Sequence, residues 1–185
     1  MPYFNTRDIA AIALCASLWG VLNSLISPIF WQMTHLPLLC DLIGFTVLAI
    51  TVWWIRKLGS ATAVGLIATA INFILVPTGT QFLGFMAASI VFDVAARLVG
   101  YNAFQKPLQS VVTLIPISTL SAAVAGYLIG TFFMVAPDLA RSGGVLGWAG
   151  LHAVGGIIGG AIGVVLINSL RTRRVVASTI QVKAQ

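Results

Sequence analysis

Six stretches of this chain are long, apolar and almost free of ionised side chains, and short segments rich in proline, glycine and basic residues separate them. A helix needs about 20 mostly apolar residues to cross a bilayer. That length predicts helices over 9–29, 37–55, 60–77, 81–100, 107–135 and 147–169. Ser27-Pro28 and Leu36-Pro37 bracket the first predicted connection, Arg56 to Gly59 form the second and Pro77 to Thr80 the third. Gly100 to Pro107 and Ala136 to Gly144 form the fourth and fifth. Proline stops a helix by removing a donor and glycine by adding backbone freedom. Pro116 falls inside the fifth stretch, where it predicts a kink.

The fold class expected is therefore an all-α membrane protein with six transmembrane helices in one compact bundle. One substrate-binding domain over 1–170 is followed by a basic tail over 171–185, expected to be cytoplasmic and disordered. With 59% hydrophobic and 8% charged residues and a mean hydropathy of +1.03, the chain has too little polar surface to cover a water-soluble globule. The first stretch is longer than the apolar segment of a secretory signal and lacks a small-x-small cleavage site, so it reads as a first spanning helix. Cys15 and Cys40 lie at different depths and are expected to stay unpaired.

The charges then set an orientation. Arg7, Arg56, Lys57, Arg97, Lys106, Arg171, Arg173, Arg174 and Lys183 fall on one side of the predicted bundle, and Arg141 alone falls on the other. By the positive-inside rule both termini are cytoplasmic in the cell membrane. The net charge of +6 is dispersed over helix ends rather than gathered on one face, which argues against nucleic acid as a partner.

Ionisable and amide side chains are costly inside a membrane, so each one is a candidate. Asp41 lies about one turn inside the outer end of the second stretch, and Asn72 and His152 lie similarly in the third and sixth. Gln81 begins the fourth stretch, and Tyr127 and Thr131 approach the outer end of the fifth. The outward segments add Trp31, Gln32, His35, Thr78, Thr80 and Trp148. Aromatic faces with a few donors and acceptors suit a flat heteroaromatic small molecule, with Asp41 expected to meet a cationic or amino group. Alternatives stand beside this reading: Trp31 and Trp148 as an interfacial aromatic belt, and Asn72 and His152 as hydrogen-bonding glue between helices. Asp93 and Arg97, four residues apart, are expected to form an intrahelical ion pair. Asp8 reads as surface chemistry at a helix start. No Ser/His/Asp set, HExxH pair, phosphate loop or cysteine pair stands at usable spacing, so no catalytic residue, cofactor or metal is expected.

Two stripes of small residues complete the pattern. Ala10, Ala13, Ser17, Gly20 and Ser24 recur at three- and four-residue steps, forming a groove along the first helix that suits close approach of an external helix. Gly155, Gly159 and Gly163, with Gly156 and Gly160 beside them, read as packing within the bundle.

The Arg-Asp pair followed by IAAIALCASL, together with the size and six predicted helices, resembles the S-component of energy-coupling factor (ECF) vitamin transporters over nearly the whole chain. In that family an AxxxA motif docks the membrane T-component, and Ala13 and Ser17 occupy it here, with Ser in place of the second Ala. The segment WWIRKLGSATAVGLIATAINFILVPTGTQ is similar to the second and third helices of the YkoE-type subgroup, associated with hydroxymethylpyrimidine or thiamine. That subgroup tends to carry acidic residues in helices 3 and 4; Asp93 matches one, whereas Asn72 stands where a carboxylate is expected. The resemblance implies capture of a vitamin-like substrate from outside, with a T-component and two cytoplasmic ATPases supplying energy, so ATP hydrolysis is expected only in those partners. Two other classes stay open: a small proton- or ion-coupled channel or carrier using Asp41, His152 and Asp93 as a relay, and a non-transporting membrane scaffold.

The orientation is directly measurable. Single cysteines at Arg56 or Lys57 should react only with reagents reaching the cytoplasm, and cysteines at Thr78 or Arg141 only with impermeant reagents outside. Labelling of Thr78 from the inside would invert the topology.

Overall fold

The computed structural model describes residues 3–173 and 175, and every regular element among them is helical. The elements are α1 (Thr6–Thr34), α2 (Leu38–Ile55), α3 (Ser60–Leu75), α4 (Phe82–Val99), a 3-10 turn (Tyr101–Gln105), α5 (Pro107–Phe132), α6 (Ala136–Arg141) and α7 (Gly144–Thr172). Five of them, α1, α2, α4, α5 and α7, are long and apolar enough to cross a membrane. The third predicted stretch forms α3, but its 16 residues span about 24 Å at 1.5 Å per residue, short of a hydrocarbon core of about 30 Å. The chain is thus all-α with membrane-protein character.

Where the boundaries differ from expectation, local chemistry gives the reason. Pro28 does not end α1, which continues through it to Thr34. A proline removes one backbone donor, but in an apolar medium every other backbone group still needs its helical partner, so the helix persists. It stops where His35 adopts φ 54° and donates its N–H to the Trp31 carbonyl at 2.8 Å, just before Pro37. Trp31 and Gln32 are therefore helical, not loop, residues. The fifth connection also contains structure: α5 ends at Phe132, and Pro137 sits in the first turn of the short α6. Pro116 lies within an unbroken α5. Helix α7 runs on to Thr172, so the helical domain extends past residue 170, while most of the expected 171–185 tail, including Arg174 and Lys183, lies outside the described residues. Both Cys15 and Cys40 are free, as expected.

The basic end of the bundle is tied by specific polar contacts. Asn5 and Asp8 form a reciprocal capping box at the start of α1, with N–H to side-chain oxygen distances of 2.9 and 3.1 Å. The same Asp8 Oδ2 accepts from Lys57 Nζ at 2.6 Å, and Asp8 is only 1% exposed. The expectation of a surface residue is corrected: Asp8 joins the start of α1 to the α2–α3 turn. Asp93 also departs from expectation, since it turns away from Arg97 towards α3. Helix α3 begins at Gly59 (φ 90°) with no side-chain cap of its own, and Asp93 Oδ2 accepts from Thr62 N–H at 3.0 Å and Thr62 Oγ1 at 2.9 Å. A carboxylate satisfying exposed amides at a helix N-terminus outweighs an ion pair with an exposed arginine. Arg171 donates to the Phe104 carbonyl and to Asn168 Oδ1, fixing the end of α7 to the 3-10 turn. Desolvation and the neighbouring Arg171 lower the Arg56 pKa, and burial pushes the Tyr101 phenol up to about 12.

Packing centres on α2, whose most apolar window is 67% buried against 33% for α1, so α2 is enclosed and α1 is peripheral. Helix α7 lies along both α2 and α5, and its glycines allow this. A Cβ at Gly159 would lie 2.9 Å from the Asp41 carbonyl oxygen, and one at Gly163 would lie 2.7 Å from Ala49 Cβ, both on α2. Gly156 and Gly160 do the same for α5, at 2.6 Å from Ala122 Cβ and 2.8 Å from Ser118 Oγ. Both rows therefore pack internally, as expected. The α1 stripe instead divides: Ala10, Ala13 and Ser17 are exposed, whereas Gly20 is buried against Ile71 and Ser24 is buried against α3. Gly20 is thus removed from the set available to an external partner.

Gly156→Ala should lower stability by about 1–3 kcal/mol, the usual range for overpacking, because the new methyl meets α5 backbone as well as side chain. Gly150→Ala on the same helix meets open space and should be neutral or stabilising. Thermal unfolding of both variants in one detergent checks the pair.

Candidate functional site

At the end of the bundle opposite the basic cluster, a cavity of about 300 Å³ opens between the C-terminal parts of α1 and α5 and the N-terminal parts of α4 and α7. Its wall carries Trp31, Gln81, Trp148 and His152 from the expected set, with Asn23, Ser27, Phe82, Phe85 and Met134 among the others. The aromatic groups touch in series. The Trp31 and Trp148 rings meet edge to face at 5.7 Å, Trp148 and His152 at 5.2 Å, and His152 lies 5.7 Å from Phe85. Trp148 is only 3% exposed, so it belongs to the cavity and not to a lipid-facing belt.

The polar centre is a buried pair. Asp41 enters in the first turn of α2, where the helix dipole favours a carboxylate, and its Oδ1 lies 2.9 Å from His152 Nδ1 on α7. Both residues are essentially inaccessible, at 0% and 1%. Asp41 does not line the cavity; it stands behind His152, with Oδ2 2.5 Å from where a Gly155 Cβ would be. The expectation that Asp41 meets a ligand directly is corrected on this geometry. Three atoms in this region have no partner: Asp41 Oδ2, His152 Nε2 and Trp148 Nε1. Two of them belong to residues of the cavity wall, Trp148 and His152, and a buried polar atom left unpaired is expensive.

Asn72 behaves as interhelical glue. Its Oδ1 accepts from Asn23 Nδ2 at 3.1 Å and Ser24 Oγ at 2.8 Å on α1, and its Nδ2 donates to the Ala68 carbonyl at 2.8 Å. With its hydrogen-bonding capacity largely used, it lies behind Asn23 and Ser27, which form the polar wall on that side. Neither wall residue stood among the expected ones. Asn23 carries the same signal as Asn72, an amide inside an apolar stretch, masked here by the stripe of small residues around it. Gln32, His35 and Thr78 are exposed at this end, with only the His35 ring against Trp31, at 5.4 Å. Tyr127 is 51% exposed and off the cavity wall, as is Thr131, which bonds back to the Tyr127 carbonyl.

Phe85, against His152, stacks on Phe45 at 6.5 Å, and Phe45 on Phe92 at 6.3 Å, with all three rings buried. These aromatics stand between the Asp41–His152 pair and Asp93, which is engaged at the other end by Thr62.

His152→Ala should cost about 3 kcal/mol, because it strands the Asp41 carboxyl in the interior. Adding Asp41→Leu should recover part of that loss by removing the stranded group. Denaturation midpoints of the two single variants and the double variant give the coupling.

Comparison with known proteins returns no match to any family model, curated protein or solved structure.

Proposed function

We propose that this protein is the substrate-capture membrane subunit of an ECF-type importer, with six spanning helices, α3 included, and both termini in the cytoplasm. The observation that carries the reading is a cavity confined to one end of the bundle, containing unpaired buried polar atoms and floored by stacked aromatics. A binding protein that takes a ligand from one side needs this shape. A proton or ion relay needs a continuous polar file, whereas the ring beside His152 leads into the buried series Phe85, Phe45 and Phe92. A scaffold has no use for such a cavity.

The positive-inside rule puts the cavity outside, where scarce solutes are met. Ligand sites commonly enclose about 300–1,000 Å³, so this cavity suits one small ring system, such as a hydroxymethylpyrimidine-like vitamin precursor, better than a nucleotide. Nothing about capture supplies energy, so the reading requires a T-component and two cytoplasmic ATPases as partners. The exposed face of Ala10, Ala13 and Ser17 on peripheral α1 is the docking surface on this reading.

Mass spectrometry of small molecules retained through purification tests capture; a protein that carries none and is stabilised by none would defeat it. Coupling is tested separately. Ala13→Trp or Ser17→Trp should abolish uptake while leaving ligand affinity of the isolated subunit within about twofold, since the face is remote from the cavity. Equal loss of both would assign the stripe to internal packing.

A further inference from the structure

We infer that the captured ligand is uncharged and planar and presents acceptor atoms to two N–H groups, His152 Nε2 and Trp148 Nε1, with Asp41 acting only to position His152. This rests on the capture reading. The cavity wall contains no carboxylate, lysine or arginine. A cationic ligand would therefore be buried without a counter-charge, and so would an anionic one, at a cost of several kcal/mol for each unpaired ion. The nearest carboxylate, Asp41, is already held by His152 and has no accessible surface.

The pair's own charge decides what it offers. No Lys or Arg bonds to Asp41 or His152, so the state with least buried charge has zero net charge. That state holds two protons. One lies between Asp41 Oδ1 and His152 Nδ1, whichever atom owns it, and the other is on Nε2. His152 Nε2 is thus a donor, and the indole Nε1–H of Trp148 can only donate. The two residues are four apart on α7, one turn of the same face, with ring centroids at 5.2 Å. Both nitrogens are buried and unpartnered. Two N–H donors on rings one turn apart can meet two acceptor atoms of one ligand, and the Trp31 ring packs against Trp148 beside them.

Loss of one proton from the pair at high pH leaves Asp41 charged and draws the remaining imidazole hydrogen to Nδ1 beside it, so Nε2 becomes a bare acceptor and affinity falls as pH rises. Asp41→Asn removes this dependence. The amide can donate to Nδ1 and leave the hydrogen on Nε2 at every pH above imidazole protonation. The other titratable groups near the pair are Cys40 on α2 and His35 at the mouth; the α1, α4 and α5 residues lining the cavity carry none.

The test is a tryptophan-fluorescence titration of the full chain in detergent, from pH 6 to 9, using two matched probe pairs. These are aminohydroxymethylpyrimidine against thiamine, and nicotinamide against 1-methylnicotinamide; each pair sets a neutral ring against a permanent cation. The neutral member should bind at least tenfold more tightly in each pair that binds, with affinity falling at high pH. Asp41→Asn should bind the neutral probe within about threefold of the parent at pH 7 and lose the pH slope, whereas Cys40→Ser and His35→Asn keep it. Trp148→Phe, which keeps the ring and loses one donor, should weaken binding by up to roughly tenfold. Preference for the cations, or abolition of binding in a folded Asp41→Asn protein, overturns this inference and leaves capture standing. If no probe binds and no small molecule is retained on purification, both fail.

Discussion

The close approach of α7 to α2 and α5 is the constraint on which the rest of the structure depends. Five glycines in two adjacent rows let one helix contact two neighbours nearly at backbone distance. In a membrane this matters more than in water, because lipid tails satisfy apolar side chains as well as another helix does, and close contact supplies the preference for protein. The same approach places chemistry. Asp41 has room for its carboxylate only because Gly155 lacks a side chain, and His152, one turn earlier on α7, is thereby brought to 2.9 Å.

Buried polar groups gather at both ends of the bundle. At the basic end, Asp8, Lys57, Asp93, Thr62 and Arg171 close the connections through caps and ion pairs, and each contact joins segments distant in sequence. At the other end Asp41 meets His152, and Asn72 meets Asn23 and Ser24; buried atoms without a partner occur at both ends.

Most of the architecture was legible because apolar length is a strong signal in a membrane protein: all six predicted stretches became helices near their expected positions. The misses have physical causes. Pro28 and Ser27 were read by a rule suited to water, where a broken helix can bond to solvent. Asp93 was assigned to Arg97 because helical spacing shows neighbours on the same helix and hides the uncapped end of α3 beside it. Asp41 and His152 were each found as costly buried groups, yet periodicity cannot show that they face each other, nor that one screens the other from the cavity. Asn23 was hidden for a different reason, since a residue lying within one pattern is easily taken as part of it.

Helix α1 is where recognition and partnership meet. Its first half exposes Ala10, Ala13 and Ser17, and its second half buries Asn23, Ser24 and Ser27 against Asn72 and the cavity. Between them Gly20 seats α1 on Ile71 of α3. Because Pro28 does not break the helix, both halves belong to one continuous rod that carries Trp31 on the cavity wall and ends at Thr34. The cavity-lining Asn23 and Trp31 therefore belong to the same helix that exposes the small-residue face.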